Sequence, residues 1–365
     1  RDSWNPLSRK YSDNHHKWLK EIQRNKPLLP AGIYREGEEL TAVVSVARTA
    51  GKTPSNWYPG VIRMDTTGEF LSEYCDTINP KYIPGPERPI PYIEYNRTIN
   101  TAFTAEMKVN GIWKIYSVYA QYDRNGVLRQ EHLLDSGDVN DTVKKEFITL
   151  VTDSSDNIYI LGRVIRYNPF PTYGVFVRKY SNGLEMLWET EMSIDDIDNA
   201  KIMTPECIML NSEGDPLISG EYWFNTNDYK SGAIPFYVKK LDKLSGEIVW
   251  SSRAGLPYPG SINGIVESSR GGYAITGYYM RAFDFSYSNP ITIKFKPNGT
   301  VSWTALMPLL PELDSCALDT QRCAHQGIFE YNRDFYFLSG YEDDHILVSM
   351  IEDMDWRTGI NEEQK

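Results

Sequence analysis

A short apolar run that closes on glycine returns along this chain, and few folds accommodate such a period. The copies are IYILG at 158–162, PLISG at 216–220, YAITG at 273–277 and FYFLSG at 335–340. Their glycines, Gly162, Gly220, Gly277 and Gly340, are spaced 58, 57 and 63 residues apart. A polar turn cluster precedes each run: DSSDN at 153–157, NSEGD at 211–215, SSRGG at 268–272 and EYNRD at 330–334. Another apolar run precedes each cluster, and two short apolar runs around polar turn residues read as a β-hairpin.

Downstream of each glycine the unit continues with a third strand, a turn ending in Gly and a fourth strand opening on Trp. The copies are VRKYSNGLEMLW to Trp188, VKKLDKLSGEIVW to Trp250 and IKFKPNGTVSW to Trp303, at 26, 30 and 26 residues from their glycines. Two weaker copies come first: AVVSVA, with Ala47 in the glycine slot, leads to IRMDTTGEFLSEY, and FTAEMKV leads to AQYDRNGVLRQEH. A period of this length with four short strands describes a propeller blade, whose sheet is covered only when neighbouring blades stack on it.

The reading is therefore all-β: one six-bladed β-propeller domain over 1–365 with four-stranded antiparallel blades. The blades fall at about 31–75, 91–135, 145–193, 203–254, 260–307 and 322–359. The last blade runs out of chain before its Trp strand. KWLKEI at 17–22 resembles LWETEM at 187–192 and VWSSRA at 249–254, so the N-terminal strand is expected to close the ring. Closure of that kind removes an open sheet edge. A divergent unit in the Pro-dense stretch between Cys75 and Phe103 would make seven blades instead.

At LDKLSGEIVW, 241–250, the chain resembles the pyrroloquinoline-quinone-type propeller repeat, with its Asp, its Ser before Gly and its Trp a few residues on. SNGLEMLW and KPNGTVSW are similar to repeats of exported bacterial propeller lipoproteins. The resemblance implies a fold in which Trp packs between blades and Gly takes positive φ in the turn. It implies a non-enzymatic envelope protein. Quinone binding is not carried over, because the adjacent cysteines that accompany a calcium site in the quinone enzymes are absent.

Composition narrows the partners. With 38 basic and 49 acidic side chains the net charge is −11, and Lys and Arg are interleaved throughout, so no basic face is available for nucleic acid. No apolar run approaches the ~20 residues of a membrane-spanning helix. The chain opens on Arg1 without an apolar leader, and 25 Tyr and 9 Trp suit an exported protein working in the periplasm, at the outer-membrane surface or outside the cell. Cys316 and Cys323 are close enough to form a disulfide, which suits an oxidising compartment. Cys207, within ECIML, reads as a small buried hydrophobe.

Three groups of residues are candidates for function. Counting back from the slot glycines places Glu146, Glu206, Asn263 and His325 near the start of the innermost strands, at a channel mouth. Such a ring suits acid–base work or a polar ligand, although channel mouths are polar in any case. Two carboxylates are the minimum for glycoside cleavage, which makes Glu146, Glu206 and His325 the catalytic candidates of a carbohydrate-active hydrolase or lyase. Asp195, Asp196 and Asp198 would supply oxygen ligands to Ca2+, the one cofactor considered, although their spacing is not that of an EF-hand and a solvated loop explains them equally. Aromatic insertions at 166–174, 222–232 and 278–289 place Tyr167, Tyr173, Trp223, Tyr229, Phe283, Phe285 and Tyr287 between second and third strands. With Asn263 they are the expected ligand-binding set, unless they merely roof the propeller. The expectation drawn from all this is a recognition or scaffold protein that holds an envelope or surface protein, or a polysaccharide, through a Tyr-rich face. Carbohydrate cleavage at the channel mouth is the alternative.

Overall fold

The computed structural model describes residues 8–9, 19–20, 28–36, 39–47, 57–65, 70–75, 83–84, 92–93, 99–123, 128–138, 141–167, 171–193, 200–224, 236–254, 260–280, 288–306, 324–331, 334–341 and 345–352. Every helix-or-strand element among them is a β-strand. The first unit is a four-stranded antiparallel meander of Leu28–Glu36, Glu39–Ala47, Trp57–Asp65 and Phe70–Cys75. The third, fourth and fifth repeat it: Val143–Thr152 to Met186–Met192, Ala200–Leu210 to Ile248–Ala254, and Gly260–Glu267 to Val301–Leu306. Units three and four are joined into one sheet by a single parallel pair, Tyr173 with Ile202.

The second unit departs from the pattern. Its three long strands, Ile99–Val109, Ile112–Tyr122 and Leu128–Asp138, are preceded by two short pieces, Ile83–Pro84 and Tyr92–Ile93, that pair with the same strand, Ile99–Val109. Together they occupy the place of a broken first strand. Pro86, Pro89 and Pro91 fall between them, and a proline has no N–H to give a ladder. The sixth unit has three strands, Ala324–Tyr331, Asp334–Tyr341 and His345–Glu352. Leu19–Lys20 pairs with Ser8–Arg9 and lies beside His345–Glu352; among the described residues no ladder joins it to that sheet.

Alternation along the strands builds the core. In Ile158–Tyr167, Ile158, Ile160 and Val164 join a cluster with Ala102 and Tyr119 of unit two, while Tyr159 and Leu161 join one with Met203, Ile218 and Tyr237 of unit four. Leu217, Phe236 and Val238 likewise meet Ile262, Ile275 and Ile293 of unit five. Each fully buried aliphatic or aromatic side chain contributes about 1.5–3 kcal/mol, and here that burial exists only between units.

First strands of successive units lie against one another, and Ala324–Tyr331 of the sixth lies against Leu28–Glu36 of the first. A one-residue bulge interrupts the first strand in units three, four and five, at Ile148, Glu206 and Asn263, opposite the slot glycine. The glycine is required there. A Cβ at Gly162, Gly220 or Gly277 would overlap the carbonyl oxygen of Glu146, Thr204 or Ser261 respectively, and at the first two also the Phe176 or Tyr237 side chain.

The lattice of turns also repeats. Trp188 packs on Gly246 of the next unit and Trp250 on Gly299, both glycines with positive φ. In SNGLEMLW the expectation needs correcting: Leu184, not Gly183, holds the left-handed conformation, at φ 64°. Gln130 of unit two stands where the later units carry Trp, so no indole presses on this turn and a side chain fits.

Candidate functional site

The first strands begin at the same end of the sheets as the connections between second and third strands. Tyr167 marks this end, its N–H donating to the Thr142 carbonyl at 2.8 Å. Glu146 lies here, opposite Arg163 on the neighbouring strand. Arg163 donates to Glu146 Oε2 from Nη2 at 2.6 Å and from Nε at 3.1 Å. Oε1 of Glu146 accepts nothing from the described residues. The guanidinium stands over the Tyr173 ring at 5.7 Å, and Lys144 stands over the Tyr167 ring at 5.3 Å.

Glu206 belongs to the adjacent first strand and is itself the bulged residue. A bulge turns a side chain out of the regular alternation, and such bulges recur beside active sites. The charge of Glu206 acts on Cys207 and on Tyr237, whose ring centroid lies 5.0 Å from that of Tyr222. Tyr237 donates its hydroxyl to the Thr204 carbonyl at 2.9 Å. Cys207 is half-buried rather than a full core residue, and burial of its thiol, then the charge of Glu206, push that thiol up and keep it protonated. Burial also pushes the Tyr237 phenol well above its ordinary value, with Tyr222, Glu206 and Glu221 adding to the effect. Glu221, directly after the slot glycine, is buried beside them.

The four polar residues counted back from the glycines are not equivalent. Glu206 and Asn263 are the bulged residues of units four and five; the matching residue in unit three is Ile148, while Glu146 matches Thr204 and Ser261. In unit six the bulge falls at Gln326, and His325 remains paired with Ser339. Asn263 Oδ1 accepts from Ser261 Oγ at 3.4 Å.

The aromatic insertion of unit three is shorter than expected. The third strand already starts at Pro171, pairs it with Tyr167 and carries Tyr173 opposite Ile165. Tyr167 is exposed and Tyr173 half-buried. Trp223 lies in strand Pro216–Phe224, its side chain outside the described residues, as is that of His325. Tyr229, Phe283, Phe285, Tyr287, the carboxylates Asp195, Asp196 and Asp198, and the Cys316–Cys323 pair lie outside the described residues altogether. Among the described residues no group of three or more His, Cys, Asp and Glu could hold a metal. Sequence counting missed Arg163 and Lys144. Arg163 follows Gly162 directly, and a hairpin register with one bulge would have set it against Glu146.

No family model and no curated protein matches the chain. Solved structures do. The fold is similar to the Penicillium chrysogenum α-L-arabinanase complexed with arabinobiose, with TM-score 0.54, 13% identity, and coverage of 95% of this chain and 98% of that one. It is similar also to the α-L-arabinofuranosidase of Fusarium graminearum, with TM-score 0.52, 10% identity, and coverage of 90% and 94%.

The likeness shows the fold, an all-β chain of the β-propeller kind. It also overturns the resemblance to quinone-type repeats and non-enzymatic propeller lipoproteins, since these two solved structures are an arabinanase and an arabinofuranosidase. The expectation of a scaffold without catalysis falls with it. The physical reason lies in what the motif does. Its Trp and turn Gly hold one unit against the next, as Trp188 and Gly246 do, and say nothing about the end of the sheets where Glu146 and Glu206 stand.

Proposed function

We propose that the chain is a carbohydrate-active hydrolase that cleaves a glycosidic bond at the channel end where the first strands begin, with Glu146 and Glu206 as its carboxylates. One observation carries the reading. Adjacent first strands each bring a glutamate to this region, one tied to Arg163 with an oxygen to spare and the other set by a bulge against a tyrosine pair. Glycoside cleavage needs a carboxylate on either side of the bond, one to donate a proton and the other to attack or to activate water. Tyr173 and Tyr167 beside them offer the ring faces and hydroxyls that sugars take. The matching of the fold to arabinan-acting enzymes over most of both chains supports a polysaccharide or its fragments as substrate, met outside the cytoplasm.

Six blades are part of the same proposal. The packing of Ala324–Tyr331 on Leu28–Glu36, and of Leu19–Lys20 beside His345–Glu352, supports a ring closed between the last unit and the first with the N-terminal strand at its seam.

The experiment is a release assay on linear arabinan, arabinobiose and β-linked mannobiose, read by chromatography of the products. Glu146→Gln and Glu206→Gln are each expected to lower turnover by about 10²–10⁴-fold while leaving the fold intact. Undiminished turnover in both variants, or no release from any glycan by the native chain, would sink the reading.

A further inference from the structure

The face of unit three that carries Glu146 continues, row by row, toward the end where the first strand begins. Glu146 pairs with Arg163; in the next row Lys144 pairs with Ile165, and Ile165 with Tyr173; in the last, Tyr167 pairs with Pro171. The register against the third strand is unbroken from Ile158 to Tyr167, so Arg163, Ile165 and Tyr167 share one face. The contacts agree, since Arg163 reaches over the Tyr173 ring and Lys144 over the Tyr167 ring. Tyr167 stands four residues beyond Arg163, a separation of about 13 Å at about 3.3 Å for each residue of strand. That is farther than one sugar ring spans.

The rows change in character along the way. The Arg163 and Glu146 side chains are 20% and 16% exposed, whereas Tyr167 is 43% exposed, the one aromatic among the exposed large hydrophobic residues described. Pro171 beside it is exposed as well. An exposed tyrosine ordinarily has a mobile ring, but this one is held. Its backbone N–H donates to the Thr142 carbonyl, and the Lys144 ammonium lies 5.3 Å from the ring centre. Among the described residues that ring is the ammonium's only partner, which leaves its three donors to the oxygens of a sugar. A fixed ring with a donor at its side and a proline at its edge takes the C–H face of a neutral sugar. A sugar held there lies beyond the residues joined by a bond at Glu146.

We propose that Tyr167, with Lys144 and Pro171, forms a distal sugar subsite of the Glu146 site, so that the chain favours long oligosaccharides over disaccharides. The inference rests on the hydrolase reading and adds a chain-length requirement to it.

The test uses a series from arabinobiose to the hexasaccharide cut from linear arabinan. Initial rates give kcat/KM for the native chain, and calorimetry on Glu206→Gln gives the affinities. Tyr167→Ala, Tyr167→Phe and Lys144→Met are compared in both measurements after thermal melts show that they fold. Expected is a kcat/KM at least tenfold higher for the hexasaccharide than for arabinobiose, with affinity following the same order. Tyr167→Ala should remove that rise while changing arabinobiose by less than threefold, Tyr167→Phe should keep it, and Lys144→Met should lose at least threefold of it. Equal kcat/KM at every length, equal losses at every length in Tyr167→Ala, or no binding of the hexasaccharide would each overturn the subsite. Binding of the hexasaccharide that depends on Tyr167, with no product released by the native chain, would instead sink the hydrolase reading and leave the subsite standing.

Discussion

Trp188 and Gly246 sit in van der Waals contact across a unit boundary, so close that a Cβ on the glycine would lie 2.7 Å from the indole ring. The indole Nε1 donates to the Lys243 carbonyl at 3.3 Å, and Thr190 Oγ1 to the Gly246 carbonyl at 2.7 Å. Gly246 also holds φ at 76°. Gly246→Ala must therefore strain the backbone and displace the indole, for a loss of about 2–4 kcal/mol. Gly183→Ala is the control. The nearest atom to its added methyl is Ser181 Oγ at 3.6 Å, and the change should stay within about 0.5 kcal/mol. Urea midpoints of the two variants check the contrast, and equal losses would refute it.

The hairpin turns between first and second strands carry the same device with unequal residues. Asp156, Gly214 and Gly271 all donate a backbone N–H to the residue three before, and all have positive φ, 60°, 86° and 85°. Of these three turns, that of unit three alone has a residue with a side chain at the position, and that side chain is exposed. Asp156→Gly is expected to raise stability by about 0.5 kcal/mol, and Gly214→Ala to lower it by about 1 kcal/mol. Thermal melts of both variants decide; a loss in the first or a gain in the second would contradict the shared geometry.

The repeat was legible because its residues answer to geometry that every unit shares. Gly162, Gly220 and Gly277 face first-strand carbonyls, and Trp188 and Trp250 cover turn glycines, so spacing alone exposed the units. The broken first strand of unit two was hidden, since prolines erase the apolar run on which the reading relied. The site was less legible. A bulge shifts register without leaving a composition mark, so a count from Gly162 reached Glu146, two residues short of the bulged Ile148, while the same exercise reached Glu206 and Asn263 at their bulges. The proposed chemistry was underweighted for a related reason. The motif that drew attention belongs to the seams between units, and the residues proposed for the chemistry lie at the ends of the strands.

Glu189 couples the seam between units two and three to pH. Burial alone would raise its carboxyl, but hydrogen bonds from Lys145 and Arg178, together with their charges, hold it below the ordinary value of 4.5. A carboxyl depressed in the folded state contributes stability above its unfolded value and loses it as pH falls through the folded value. Glu189→Gln should thus cost about 2 kcal/mol at pH 7, and the gap to the native chain should close below the ordinary carboxylate range. Urea midpoints from pH 7 down to 3 follow it; a gap that stays constant or widens in acid would rule the ion pairs out as the cause.

Arg163 is the positioning residue of the proposed site. Two of its nitrogens hold the same oxygen of Glu146, and its plane lies over Tyr173, so the carboxylate is fixed while Oε1 stays available. Removing the guanidinium frees Glu146 to rotate, and a small misplacement of a reacting group costs far more in rate than in binding. Arg163→Met is expected to lower kcat by about 10–100-fold with KM changed by less than about threefold. Arg163→Lys should recover only part of the loss, because an ammonium gives a point charge where the guanidinium gives a fork. Steady-state kinetics on the best substrate of the glycan panel separates the possibilities. A rise in KM with kcat preserved would place Arg163 in contact with the sugar rather than behind Glu146.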